Sequence, residues 1–164
     1  MPTTYEPIAT QTLSSTSAQI DFNSIPQTYT DLVLVTNLIV TGSGYPFMRI
    51  NGNTSSIYSN TFIRGTGSTV VTGRNQNSTE WYFTTGYDTF GVPVLATINF
   101  FNYTSSTNKT ALAQNAGATQ TTSPVLVGAL LARTSSAITS ISLIKASSTW
   151  AVGSTVTLYG IKNA

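Results

Sequence analysis

The sequence predicts an all-β chain, folded as an antiparallel two-sheet sandwich. Three observations carry this. Apolar residues come in runs of about five to eight, each bounded by Gly, Pro, Asn or Ser turn signals. No i, i+3, i+4, i+7 pattern is sustained over a helix length, so no helix is available to cover a sheet. Composition agrees: 30 threonines suit strands, while 20 serines and 12 asparagines suit turns. About nine to eleven strands are expected, with a jelly roll as the topology that fits the size. Residues 1–7 read as an extended N-terminal arm and 8–164 as a single sandwich domain.

Taken in order, the arm Met1 to Pro7 is polar and bracketed by Pro2 and Pro7. Ile8 to Leu13 is a first, edge-like strand, because Pro7 cannot donate to a ladder. Ala18, Ile20 and Phe22 alternate with polar residues, giving one buried and one wet face. The chain then turns at Ser24-Ile25-Pro26 into the run ending at Thr41. There Leu32, Leu34, Leu38 and Val40 fall on one side, and Val33, Val35 and Ile39 on the other. A strand apolar on both faces needs cover on both, so this run is expected at the centre of a sheet.

Phe47 to Ile50 is a short strand, and Asn51-Gly52 is a strong type I′ hairpin signal. Ser56 to Arg64 is the next strand. Gly65 to Thr79 is polar and Gly-bearing, open between a surface loop and a hairpin. Glu80 to Thr84 is aromatic and strand-like. Val92, Val94, Ala96, Ile98 and Phe100 give the clearest period-two signal in the chain. Lys109 to Gln114, Val125 to Leu131, Ala137 to Ile144 and Thr155 to Ile161 complete the set; the second of these has only weak helical propensity and is broken by Gly128.

Charged residues make up 7% of the chain, against about 25% in an average protein. A surface of this kind has few charges to desolvate when a partner covers it. Seven scattered basic and five acidic residues give a net charge of +2, so no polybasic stripe for nucleic acid or anionic lipid is present. No run reaches the ~20 apolar residues of a membrane helix, and the start MPTTYEPIATQTL has no secretory-signal pattern. Neither nucleic acid nor membrane is expected as a partner.

Histidine and cysteine are both absent, which removes Ser-His and Cys-His nucleophiles and most zinc sites. No metal, cofactor or catalytic residue is expected, and the protein is read as non-enzymatic. The one carboxylate pair worth considering is Glu80 with Asp88, which flank one hairpin and could meet at the roughly 5–10 Å separation a glycosidase pair needs. Asp31 is expected to fix the start of its strand by bonding local backbone. Among aromatics, Trp81 and Phe83 share one face and Tyr82 takes the other. Core packing, a subunit interface and stacking on a glycan ring all remain open for Trp81, Tyr82 and Tyr45.

Three segments resemble one kind of protein. Met1-Pro-Thr-Thr-Tyr-Glu-Pro-Ile-Ala-Thr10, Ser24-Ile-Pro-Gln-Thr-Tyr-Thr-Asp-Leu-Val-Leu-Val35 and Thr155-Val-Thr-Leu-Tyr-Gly-Ile-Lys162 are similar to segments of small β-sandwich structural proteins of tailed bacteriophages, the kind found in head decoration, cement and fibre proteins. The resemblance covers both ends and the central strand, and it carries no catalytic residue.

It implies a virion protein, assembled in the bacterial host cytoplasm. The expected role is a head decoration or cement subunit that binds the major capsid protein and stabilises its lattice. A homotrimer is expected at a capsid symmetry axis. Met1, Pro2, Thr3, Thr4, Tyr5, Glu6 and Pro7 are the candidate contacts to a neighbour. The alternative is a tail or fibre component that binds host-surface glycans through Trp81, Tyr82 or Tyr45. A small glycan hydrolase using Glu80 is the third reading.

Overall fold

The computed structural model describes residues 4–42, 44–83, 93–117 and 124–162. It contains twelve strands and no helix among the described residues. They are β1 (Tyr5–Thr12), β2 (Gln19–Phe22), β3 (Asp31–Ile39), β4 (Pro46–Ile50), β5 (Tyr58–Gly65) and β6 (Val70–Ser78), then β7 (Trp81–Tyr82), β8 (Pro93–Phe101), β9 (Lys109–Ala116), β10 (Val125–Ala132), β11 (Ile141–Lys145) and β12 (Thr155–Ile161). All pair antiparallel. One sheet has eight strands in the order β1-β12-β3-β8-β9-β10-β5-β6; the other has four, β2-β11-β4-β7.

The order has a simple logic. Four pairs are nested along the chain: β1 with β12, β2 with β11, β3 with β8 and β4 with β7. Contacts of β12 with β3, and of β11 with β4, join the pairs into two four-stranded sheets. The remaining strands are two hairpins. The β5–β6 hairpin is inserted between β4 and β7, and β9–β10 between β8 and β11. They pair with each other through β10 and β5 and attach to β8, which doubles the width of one sheet only.

The core follows from period-two alternation. Leu32, Leu34, Leu38, Ile98, Phe100 and Leu158 point inward from the large sheet, and Ile20, Phe22, Met48, Ile50, Ile141 and Leu143 from the small one. Full burial of each such side chain stabilises by about 1.5–3 kcal/mol. Tyr58 ties the added strands to the frame. The Ile50 amide donates to Tyr58 Oη at 3.2 Å, and that hydroxyl donates to the Asn53 carbonyl at 3.0 Å.

Three expectations need correction. The strand count is twelve rather than nine to eleven, because Gly65 to Thr79 forms most of a hairpin strand, β6. The arm does not run to Pro7: Tyr5, Glu6 and Pro7 lie in β1, opposite Ile161, Gly160 and Tyr159, because those backbone groups find partners in β12. Asn51-Gly52 does turn, with φ of 52° and 61°, but it joins no hairpin. The strands it connects, β4 and β5, lie in different sheets. The Asn51 side chain explains the residue: Nδ2 donates to the Ala137 carbonyl at 2.8 Å, and Oδ1 accepts from the amides of Thr139 and Ser140.

Candidate functional site

The outer face of the large sheet is the most unusual surface of the molecule. Ten large hydrophobic residues are exposed among the described residues, and eight of them lie on this face by strand alternation and register: Tyr5, Val35, Ile63, Val70, Leu95, Phe101, Val125 and Val127. The other two, Tyr45 and Val152, sit in loops. Scattered exposed apolar residues are ordinary; a contiguous set is not.

Register makes six of the eight contiguous, all but Tyr5 and Phe101. One row crosses six strands through Val35, Thr97, Gln114, Val127, Ile63 and Thr72. The adjacent row on that face runs Asn37, Leu95, Ala116, Val125, Gly65 and Val70. Neither row contains an ionisable side chain. The large apolar members are exposed by between 41% (Val35) and 74% (Val70). A hollow of about 510 Å³ lies between the rows, lined by Val35, Leu95, Gln114, Val125 and Val127.

A second hollow, about 670 Å³, lies toward the other end of the same strands, beside Phe101, Leu112 and Leu131. It is edged by Arg74 and Arg133 and by no acidic residue. Arg133 is spoken for: it donates to Ser59 Oγ, the Ser56 carbonyl and Asn77 Oδ1 at 2.6–3.0 Å. The face is thus neutral and apolar at one end and carries its charges, Arg74, Arg133 and Asp31 at the start of β3, at the other.

The three candidate aromatics separate. Trp81 is fully buried in the core; its Nε1 donates to the Leu131 carbonyl at 2.9 Å, and its ring meets Tyr58 edge-on at 5.3 Å. It cannot stack on a glycan, which corrects that expectation: its face of β7 points at the large sheet. Tyr82 takes the opposite face, with Tyr45 edge-on at 6.2 Å. Tyr45 is 61% exposed.

Below them Glu80 accepts from Thr79 Oγ1 (2.6 Å), Tyr82 Oη (2.9 Å) and Arg49 Nη2 (3.1 Å). Burial alone would raise the Glu80 pKa, but these hydrogen bonds and the guanidinium charge outweigh it and hold the carboxyl below its ordinary range. Tyr82 is pushed up by burial and by the same carboxylate. Glu80 is therefore built to stay ionised, which suits an ion pair and not a general acid. Asp88 and Tyr87 lie outside the described residues.

The terminal candidates also separate. Met1, Pro2 and Thr3 lie outside the described residues, and Thr4 precedes β1. Glu6 accepts from Lys162 Nζ at 3.0 Å and from Tyr29 Oη at 3.2 Å. Lys162 Nζ also lies 5.3 Å from the centre of the Tyr29 ring. Asp31 Oδ1 accepts from the backbone amide of Asn102 at 2.7 Å, across the sheet instead of locally. Among the described residues no three His, Cys, Asp or Glu side chains are grouped to hold a metal ion.

The outer-face residues were missed as a site by sequence reasoning. The strand pattern alone held no signal for them: β3 is apolar on both faces, and only the fold shows that Val35 on its outer side has no cover. No protein-family model, curated protein or solved structure matches this chain.

Proposed function

We propose that this chain is a non-enzymatic structural protein of a tailed-phage virion, a head decoration or cement subunit that binds the capsid lattice. One observation carries the reading: the uncharged apolar belt across six strands is a surface made for burial against protein. The nested strand pairs support it as well; we read them as a jelly roll widened by two hairpins. The motifs behind the family resemblance also come together physically, since Glu6, Tyr29 and Lys162 come from its three segments and bond to one another. A subunit repeated many times on a particle gains from multivalency, so weak individual contacts suffice. In this reading the chain forms a homotrimer and meets the major capsid protein.

The test is the copy number of the polypeptide in purified particles, relative to the major capsid protein. Hundreds of copies in fixed ratio support a decoration role. A few copies up to a few tens reject it in favour of a tail, fibre or vertex component. That second reading, glycan binding, is favoured by Tyr45, exposed beside Tyr82 above the Arg49–Glu80 pair. Loss of glycan-array binding in Tyr45→Ala, with the fold intact, would support it; a wild-type chain that binds no glycan rejects it.

A further inference from the structure

We infer that the outer face of the large sheet is a self-association surface, and that its occupant is a second copy of this chain.

The first argument is how the face is made. The eight nested strands by themselves would give two sheets of equal width. The inserted hairpins add four strands to one sheet, and four of the exposed apolar residues, Ile63, Val70, Val125 and Val127, lie on them. A hairpin added only to widen a sheet would carry polar residues on its solvent side, as antiparallel sheets do. Here the solvent side of β10 runs Val125, Val127, Ala129, Leu131. The hairpins therefore extend the apolar belt, chiefly through β10, on a face that is open on the isolated chain.

The second argument is charge. A patch that meets its own copy must not repel itself. The two rows of the belt contain no ionisable group; Arg74 and Arg133 edge the hollow at the other end of the strands, and Asp31, which starts β3, lies on the same face at that end. Copies can meet belt to belt and leave both guanidiniums in the hydrated rim, the apolar-centre and polar-rim arrangement of protein interfaces. A partner selected by charge would need an acidic or basic centre, which this face lacks.

The third argument is area. Strands β3, β8, β9, β10, β5 and β6 are each eight or nine residues long. At spacings of about 4.8 Å between strands and 3.3 Å per residue, their whole outer face, belt and Arg-edged hollow together, presents roughly 600 Å². Two copies would bury about 1,200 Å², the lower end of the range for specific interfaces. Belt-to-belt contact is isologous and closes as a two-fold pair of identical subunits, which leaves other faces available for further contacts.

This inference takes up the self-association of the function proposed above, as a two-fold pair, but not its location. The test is the solution mass of the purified full chain by light scattering, against the 17.4 kDa of one copy. Wild type is expected at a multiple of that mass. Leu95→Lys and Val127→Lys should each shift it to the single-chain mass, with circular dichroism unchanged, because each buries an unpaired ammonium in the contact. Val127→Thr, which keeps the β-branched shape, should weaken association without abolishing it. Val152→Lys, exposed but off this face, should leave the mass unchanged.

A monomeric wild type overturns the inference. So does an oligomer that survives both lysine variants in folded form. A monomer found in hundreds of copies on particles would sink this inference and leave the decoration reading standing. An oligomer sensitive to both lysines but absent from particles would do the reverse.

Discussion

Tyr29 lies across Gly160 so closely that a Cβ on Gly160 would stand 2.3 Å from Tyr29 Cγ. Gly160 sits in β12 and Tyr29 precedes β3, the strand β12 pairs with. The glycine is what lets the ring lie down, reach Glu6 with its hydroxyl and receive Lys162 on its face. Gly→Ala in a strand ordinarily stabilises slightly. Here Gly160→Ala should destabilise, by about 1–3 kcal/mol, the usual cost of overpacking. Denaturant unfolding measures it. A gain in stability would show that the ring moves freely and that the cluster contributes nothing.

That cluster shows what was legible in the sequence. Alternation correctly set the inward side of β3, Leu32, Leu34 and Leu38, and the extent of β12. It also gave the sandwich, because period two and turn spacing are local. Pairing partners are not local, so Asn51-Gly52 looked like a hairpin and turned out to be a passage between sheets. The outer face was harder still. An apolar residue awaiting a partner and one covered by the same chain look identical in a strand pattern; only the placement of the small sheet on one side of β3 tells Val35 from Leu34. Trp81 was open between core, interface and glycan until β7 was placed opposite Phe47 and Met48 with its ring buried.

The hydrogen bond from Trp81 Nε1 to the Leu131 carbonyl ties the short edge strand of the small sheet to the added strand β10. Trp81→Ala should cost about 3–5 kcal/mol through the cavity. Trp81→Phe should cost less, about 1–3 kcal/mol, through the lost donor and the unsatisfied carbonyl. Thermal unfolding of the two variants ranks them. Equal losses would mean that volume alone matters, and that the indole nitrogen does nothing for β10.

The Glu80 carboxyl makes stability depend on acid. Its folded-state pKa is depressed, so the folded protein holds that proton less tightly than the unfolded chain. The stabilisation is fully present above the ordinary carboxylate value and is lost as pH falls through the folded value. Glu80→Gln should cost about 1–3 kcal/mol at neutral pH by removing charged hydrogen bonds to Thr79, Tyr82 and Arg49. The difference in melting temperature between wild type and variant should then shrink on acidification. A difference constant from neutral to strongly acidic pH would assign the loss to packing and remove the ion pair from the account.

Lys109 is 1% exposed at the start of β9, and among the described residues no carboxylate bonds its ammonium. Burial lowers its pKa. Instead of an acid, it finds the carbonyls of Ser105 and Thr107, to which Nζ donates at 2.5 and 2.6 Å. The side chain therefore closes the turn between β8 and β9, where the β9–β10 hairpin leaves the frame. Lys109→Met keeps the length of the stem but leaves both carbonyls without their donor, an expected cost of about 1–3 kcal/mol. Hydrogen exchange adds a local reading: amides of β9 near Lys109 should lose protection while those of β2 and β11 keep theirs. A Met variant as stable as wild type, with β9 protected throughout, would mean that water serves those carbonyls equally well and that the lysine does not hold the hairpin's base.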